Sequence, residues 1–163
     1  MQTCKRTIVF SGLLVLLSLG SGCVKTSVMH QGNQVSDVQV VALQQGGPFA
    51  DRWKTFDLIL DYKYKLVGDV FEISGQAVLS EHYQMMYANI SYLWVYLFFL
   101  DDESRVLETV LLAASLNGQV DEQYTFTKGL KVPPGTVSVS FGYDGYATDW
   151  EGGSIFYRLP LRK

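Results

Sequence analysis

Between Phe56 and Leu66 the chain keeps a strict period of two. Phe56, Leu58, Leu60, Tyr62, Tyr64 and Leu66 alternate with Asp57, Ile59, Asp61, Lys63 and Lys65. Successive side chains of a strand point to opposite faces. This run therefore predicts a half-buried β-strand and argues against a helix. Gly68-Asp69 supplies a turn signal. Phe71, Ile73, Gly75, Ala77 and Leu79 then alternate with Val70, Glu72, Ser74, Gln76 and Val78. The two runs predict a long antiparallel hairpin.

The rest of the chain after residue 36 follows the same period. Val38, Val40 and Ala42 predict a short first strand. Tyr92–Leu100, YLWVYLFFL, is apolar on both faces, as a strand covered on both sides must be, and predicts the central strand. Asp101–Ser104, DDES, is a polar turn. In Arg105–Leu116, Val106, Leu107, Val110, Leu111 and Ala114 fit one face of a helix, yet the tight turn before it favours a returning strand, which is the expectation. Asn117-Gly118 predicts another turn, and Tyr124, Phe126, Lys128 and Leu130 another strand. Pro133-Pro134-Gly135 breaks the chain before Val137, Val139, Phe141 and Tyr143. After a glycine-rich loop, Ile155, Tyr157, Leu159 and Leu161 predict the last strand, with Pro160 confined to its edge or end. About eight strands without an amphipathic helix predict an all-β domain over residues 37–163, an antiparallel β-sandwich.

Phe126–Phe141, FTKGLKVPPGTVSVSF, resembles the late strands of immunoglobulin-like or fibronectin-like modules. The stretch from Phe71 to Tyr143 is similar in pattern to small immunoglobulin-like domains of bacterial envelope lipoproteins. This likeness implies a fold and carries no site.

The first 22 residues have a different character. Lys5 and Arg6 precede the apolar run Ile8–Leu19, and Gly20, Ser21 and Gly22 lead to Cys23. That order predicts an N-terminal signal helix that is removed. The run is shorter than the ~20 residues a spanning helix needs. Small residues ending at a cysteine resemble the lipobox of bacterial lipoproteins. The box usually opens with Leu three residues before the cysteine; here Gly20 stands there and Leu19 one place earlier. Ordinary signal peptidase, cutting after Gly22, is the alternative. The resemblance implies a thioether-linked diacylglycerol on Cys23 and an amide-linked acyl chain such as palmitate. Val24 in place of Asp implies the outer membrane, so a lipid-anchored location in the bacterial envelope is expected. Val24–Ser36 is polar without an apolar period, so residues 23–36 are expected to form the lipidated end and a flexible tether.

Composition excludes several classes. The chain has 163 residues, 48% of them hydrophobic, which excludes a disordered protein. A sequence pI near 5.3 argues against nucleic acid as a partner. Removing Lys5 and Arg6 with the signal shifts the net charge from −3 to −5. Cys4 leaves with it, so Cys23 is the one cysteine of the mature chain and no internal disulfide can form. About 140 residues suffice for a core without such staples.

Catalytic signatures are missing from the sequence. It has no G-x-S-x-G elbow and no H-E-x-x-H, and its histidines are His30 and His82. His30 is expected in the tether and His82 in an exposed loop. The acidic groups Asp101–Glu103 and Asp144, Asp149 and Glu151 lack the EF-hand spacing. The expectation is a protein that is not an enzyme, with no cofactor and no metal.

Aromatic residues are the unusual feature: Trp53, Trp94 and Trp150 accompany ten tyrosines. Core packing accounts for many of them. Tyr143, Asp144, Tyr146, Asp149 and Trp150 crowd what reads as a loop and are the expected contact residues. An envelope protein is the expected partner beside the membrane itself; a carbohydrate bound on the late-loop Trp and Tyr residues is the alternative. Mass spectrometry of the mature N-terminus is expected to find Cys23 as the first residue, carrying a diacylglycerol. An unmodified Cys23 thiol would rule the anchor out.

Overall fold

The computed structural model describes residues 29–35 and 39–160. Its strands are β1 (Val41–Ala42), β2 (Gly46–Lys54), β3 (Leu58–Val67), β4 (Val70–Leu79), β5 (Asn89–Leu100), β6 (Val106–Gln119), β7 (Tyr124–Lys131), β8 (Ser138–Thr148) and β9 (Gly153–Arg158). One short helix, α1 (Glu81–Met86), joins β4 to β5. All pairings between these strands are antiparallel. They form a four-stranded sheet in the order β2-β3-β4-β7 and a five-stranded sheet in the order β1-β8-β5-β6, with β9 also on β8. The two sheets pack into an antiparallel β-sandwich.

The alternation drives this packing. Leu58, Leu60, Tyr62, Tyr64 and Leu66 of β3 are buried, as are Phe71, Ile73, Ala77 and Leu79 of β4. They meet Leu93, Val95, Leu97 and Phe99 of β5 and Val139, Phe141 and Tyr143 of β8 in one core. Aromatic contacts bridge the sheets: Tyr62 lies 4.8 Å from Phe141, and Phe71 lies 5.7 Å edge-on from Phe99, between ring centroids. Gly75 lies opposite Phe126 of β7. A Cβ there would run first into the Asp61 carbonyl oxygen and stand 2.9 Å from both Phe126 Cζ and Tyr62 Cα, so the β3 backbone and the Phe126 ring occupy the space a side chain would need.

The hairpin, the strand over Arg105–Leu116 and the interior position of Tyr92–Leu100 are found as expected. Several other expectations are corrected. Gly46–Lys54, a stretch in which no strand was expected, forms an edge strand; an edge position leaves one side of the backbone unpaired and tolerates proline. Phe56 is exposed at the tip of a turn, where Thr55 Oγ1 accepts the N–H groups of Asp57 (3.3 Å) and Leu58 (3.0 Å). Asn117-Gly118 does not reverse the chain: Asn117 has a left-handed φ of 56°, but β6 runs on to Gln119. The first strand shrinks to Val41–Ala42, and Val38 lies outside the described residues. The last strand ends at Arg158, before Pro160; Leu161 lies outside the described residues.

Part of the expected tether is folded onto the sandwich. Gly32 N–H donates to Val106 O (2.8 Å), Val106 N–H to Asn33 O (2.9 Å) and Val35 N–H to Ser104 O (2.9 Å). Residues 32–35 thus extend the five-stranded sheet beside β6. Thr109 Oγ1 donates to Met29 O (2.5 Å), which pulls the segment over the outer side of that sheet. There Val35, Val40 and Leu159 cover a second apolar cluster of Tyr96, Phe98, Leu100 and Val106. This explains the run that is apolar on both faces. The signal segment and Cys23 lie outside the described residues.

Enlarging Gly75 to leucine would drive a side chain into Phe126. The variant is expected to lose about 1–3 kcal/mol of stability in chemical denaturation. An unchanged midpoint would show that the packing of β4 against Phe126 and β3 leaves room for a side chain.

Candidate functional site

Outward positions of β5 are Tyr92, Trp94, Tyr96, Phe98 and Leu100. Val35, Val40 and Leu159 cover the last three; among the described residues the first two have no such cover. Register extends them into two rows across the sheet. One row is Leu116 on β6, Tyr92 on β5, Tyr146 on β8 and Ile155 on β9. The next is Ala114, Trp94, Asp144 and Tyr157. Leu116 is 70% exposed, Ile155 65%, Tyr157 68% and Trp94 37%. Tyr92 and Trp94 ring centroids are 5.0 Å apart with planes 35° apart, and Tyr92 and Tyr146 are 6.4 Å apart at 32°. The rings lean on one another as a cluster and do not spread into a coplanar row.

The outer side of the four-stranded sheet contrasts with this face. It presents Lys63, Lys65 and Glu72 and the Arg52–Asp61 ion pair (2.5 Å), as a hydrated surface should. The same fold thus exposes one charged face and one aromatic-aliphatic face. Contiguous apolar surface of the second kind marks a site of interaction.

Asp144 is the charged residue within those two rows. Tyr92 Oη donates to Asp144 Oδ1 at 3.4 Å, long for an O–H···O bond. Burial raises the hydroxyl pKa values of Tyr92 and Tyr96, and the negative charge of Asp144 raises both further.

The five residues expected to crowd one loop are dispersed. Tyr143–Thr148 belongs to β8, and the loop itself is the short turn 149–152. Tyr143 points inward and is fully buried, so it is corrected from a contact residue to a core residue. Its hydroxyl donates to Asp57 Oδ2 (2.5 Å) and lies 3.1 Å from Thr55 Oγ1. This ties β8 to the turn between β2 and β3. Asp144 and Tyr146 point outward on the aromatic face. Asp149 is spent on the turn, accepting the N–H groups of Glu151 (2.7 Å) and Gly152 (2.8 Å). Trp150 is 90% exposed at the tip of that turn. Sequence reading missed Tyr92, Trp94, Leu116, Ile155 and Tyr157 as surface residues. The alternation of Tyr92, Trp94 and Tyr96 on one face was the signal available.

The two histidines sit in different settings. His82 lies on α1, facing solvent, with its ring 4.9 Å from that of Phe56. His30 is partly buried, packed edge-on against Phe98 at 6.0 Å, and so is not a solvated tether residue. Asp101 Oδ1 accepts the N–H groups of Glu103 and Arg105 (2.9 and 2.8 Å), a turn-capping use. Among the described residues no group of three or more His, Cys, Asp or Glu side chains is placed to hold a metal ion. No described helix is long and apolar enough to cross a membrane. Comparison with protein families, with curated proteins and with solved structures returns no match for this chain.

The Tyr143 hydroxyl generates a pH prediction. Burial, and then the Asp57 carboxylate, hold its pKa well above the ordinary tyrosine range. Burial acts in the same direction on Tyr62, with Asp51 adding to it. The folded state therefore keeps protons that the unfolded chain releases above a pH of about 10. Stability is expected to be unaffected by these groups below that pH and to fall as pH rises beyond it. Urea unfolding from pH 8 to 11 checks this. Tyr143→Phe should cost about 1–2 kcal/mol at neutral pH and flatten the alkaline decline. An undiminished alkaline slope in that variant would show that Tyr143 is not its source.

Proposed function

We propose that this chain is a non-catalytic protein of the bacterial envelope, anchored by lipid on Cys23 in the outer membrane. It acts as an interaction or accessory subunit of a membrane-associated assembly. The observation that carries the docking role is the aromatic-aliphatic face of Tyr92, Trp94, Leu116, Tyr146, Ile155 and Tyr157, set against the charged face opposite. Tyrosine and tryptophan concentrate binding energy at protein interfaces because they bury large area with few rotatable bonds. Exposed leucine and isoleucine beside them favour a protein partner, since their methyl groups add contact area without hydrogen-bonding capacity. A lipid at Cys23 would confine the domain to the membrane plane and raise its effective concentration near such a partner.

A carbohydrate is the second ligand class. Exposed Trp150 and the tyrosines near Asp144 support it, because sugars are held by aromatic rings flanked by polar groups. The leaning of Tyr92 on Trp94 counts against it, since a sugar strip uses separate, coplanar rings.

The test is recovery of the full mature chain from membranes in mild detergent, with in-cell cross-linking at position 116. The unaltered protein is expected to yield a defined envelope complex. Trp94→Glu combined with Leu116→Glu should lower recovery by at least about tenfold without loss of the folded state. Equal recovery from the double variant would overturn the assignment of this face, and a positive glycan panel lost on Trp150→Ala would favour the carbohydrate.

A further inference from the structure

Asp144 stands in an unusual setting for an exposed-face carboxylate. Directly across one side on β5 is Trp94, and directly across the other on β9 is Tyr157. Tyr92, diagonal to it, gives the long 3.4 Å hydrogen bond. A carboxylate accepts about four hydrogen bonds, so this one leaves most of its capacity unused. The ion pairs Arg52–Asp61, Arg105–Glu103 and Lys131–Asp69 lie elsewhere on the molecule. A negative charge inside an aromatic patch is costly to cover with an apolar partner, because burying an unpaired carboxylate costs far more than the contact returns. A partner that covers this face must therefore bring the opposite charge to this point.

We propose that the partner of the aromatic face presents an arginine side chain that seats between Trp94 and Tyr157 and pairs with Asp144. The proposal rests on the docking role given above and specifies the chemistry of its partner. A guanidinium fits on three counts. It donates two parallel hydrogen bonds to a carboxylate. Its flat faces stack on indole and phenol rings, which attract cations. It is also weakly hydrated, so it enters an apolar patch at lower cost than an ammonium. The aliphatic stem of the arginine would lie along Tyr146 and Ile155 in the adjoining row.

The test uses two small probes on the full mature chain: N-acetyl-arginine methylamide and its neutral citrulline counterpart. Nuclear magnetic resonance follows the Trp94 indole N–H and the Tyr157 ring signals during titration. The arginine probe is expected to shift both signals and to bind about tenfold more tightly than the citrulline probe. Asp144→Asn should remove that difference while leaving the core signals in place, and added salt should weaken the arginine probe selectively. Equal binding of both probes, or an arginine preference that survives Asp144→Asn, would overturn the arginine pairing. Loss of the envelope complex in the Trp94→Glu, Leu116→Glu variant would still uphold the docking role in that case. A third arm titrates phosphatidylcholine vesicles. Shifts of Trp94 and Tyr157 with vesicles but not with the arginine probe would assign the face to the bilayer and overturn both proposals.

Discussion

Strand β5 is apolar on both sides, and the architecture answers that constraint. A strand of this kind cannot sit in a sheet with one wet face without exposing a row of large side chains. The four-stranded sheet covers Leu93, Val95, Leu97 and Phe99. The opposite side is covered only in part, by the N-terminal segment and Leu159 over Tyr96, Phe98 and Leu100. Tyr92 and Trp94 have no such cover among the described residues. The face proposed for docking thus adjoins a second, smaller core on the same side of the sheet.

The two outer faces show how one alternating pattern yields two surfaces. Midway along β3 and β4 the outward residues Asp61, Lys63, Lys65, Glu72, Ser74 and Gln76 are polar and satisfied by water, with aliphatic Ile59, Val67, Val70 and Val78 confined to the strand ends. In β5, β8 and β9 the outward residues at one end are aromatic or branched, with Asp144 among them. Tyrosines recur at the margins of the core for a related reason. Tyr143, Tyr62 and Tyr124 bury their rings and pass their hydroxyls to Asp57, Asp51 and the Gln119 carbonyl. Each gains apolar area without stranding a polar group.

Much of the fold was legible because the period of two is local. The Phe71–Leu79 run needed no tertiary information to be placed as a strand, and the double-sided run of Tyr92–Leu100 announced an interior position. Edge elements were less legible. Gly46–Lys54 carries glycine, proline and three charged residues, and only pairing with β3 makes it a strand. Phe56 continued the alternation in sequence but lies beyond the strand end, because the Thr55 side chain closes a turn there. The site was half legible. Asp144 and Tyr146 were singled out, yet the loop that was to gather them is a strand, so Tyr143 and Tyr146 point in opposite directions. Trp94 was assigned to the interior because an unbroken apolar run does not reveal which of its outward residues a distant segment will cover.

That segment also sets a distance. With Cys23 as the proposed anchor, the chain is already stitched to the sheet by Met29, whose carbonyl oxygen receives the Thr109 hydroxyl. Six residue steps separate the two, and a fully extended chain covers at most about 20 Å over such a span. The body would be held close against the bilayer like a boat on a short mooring line. A binding partner would then meet the domain close to that membrane surface.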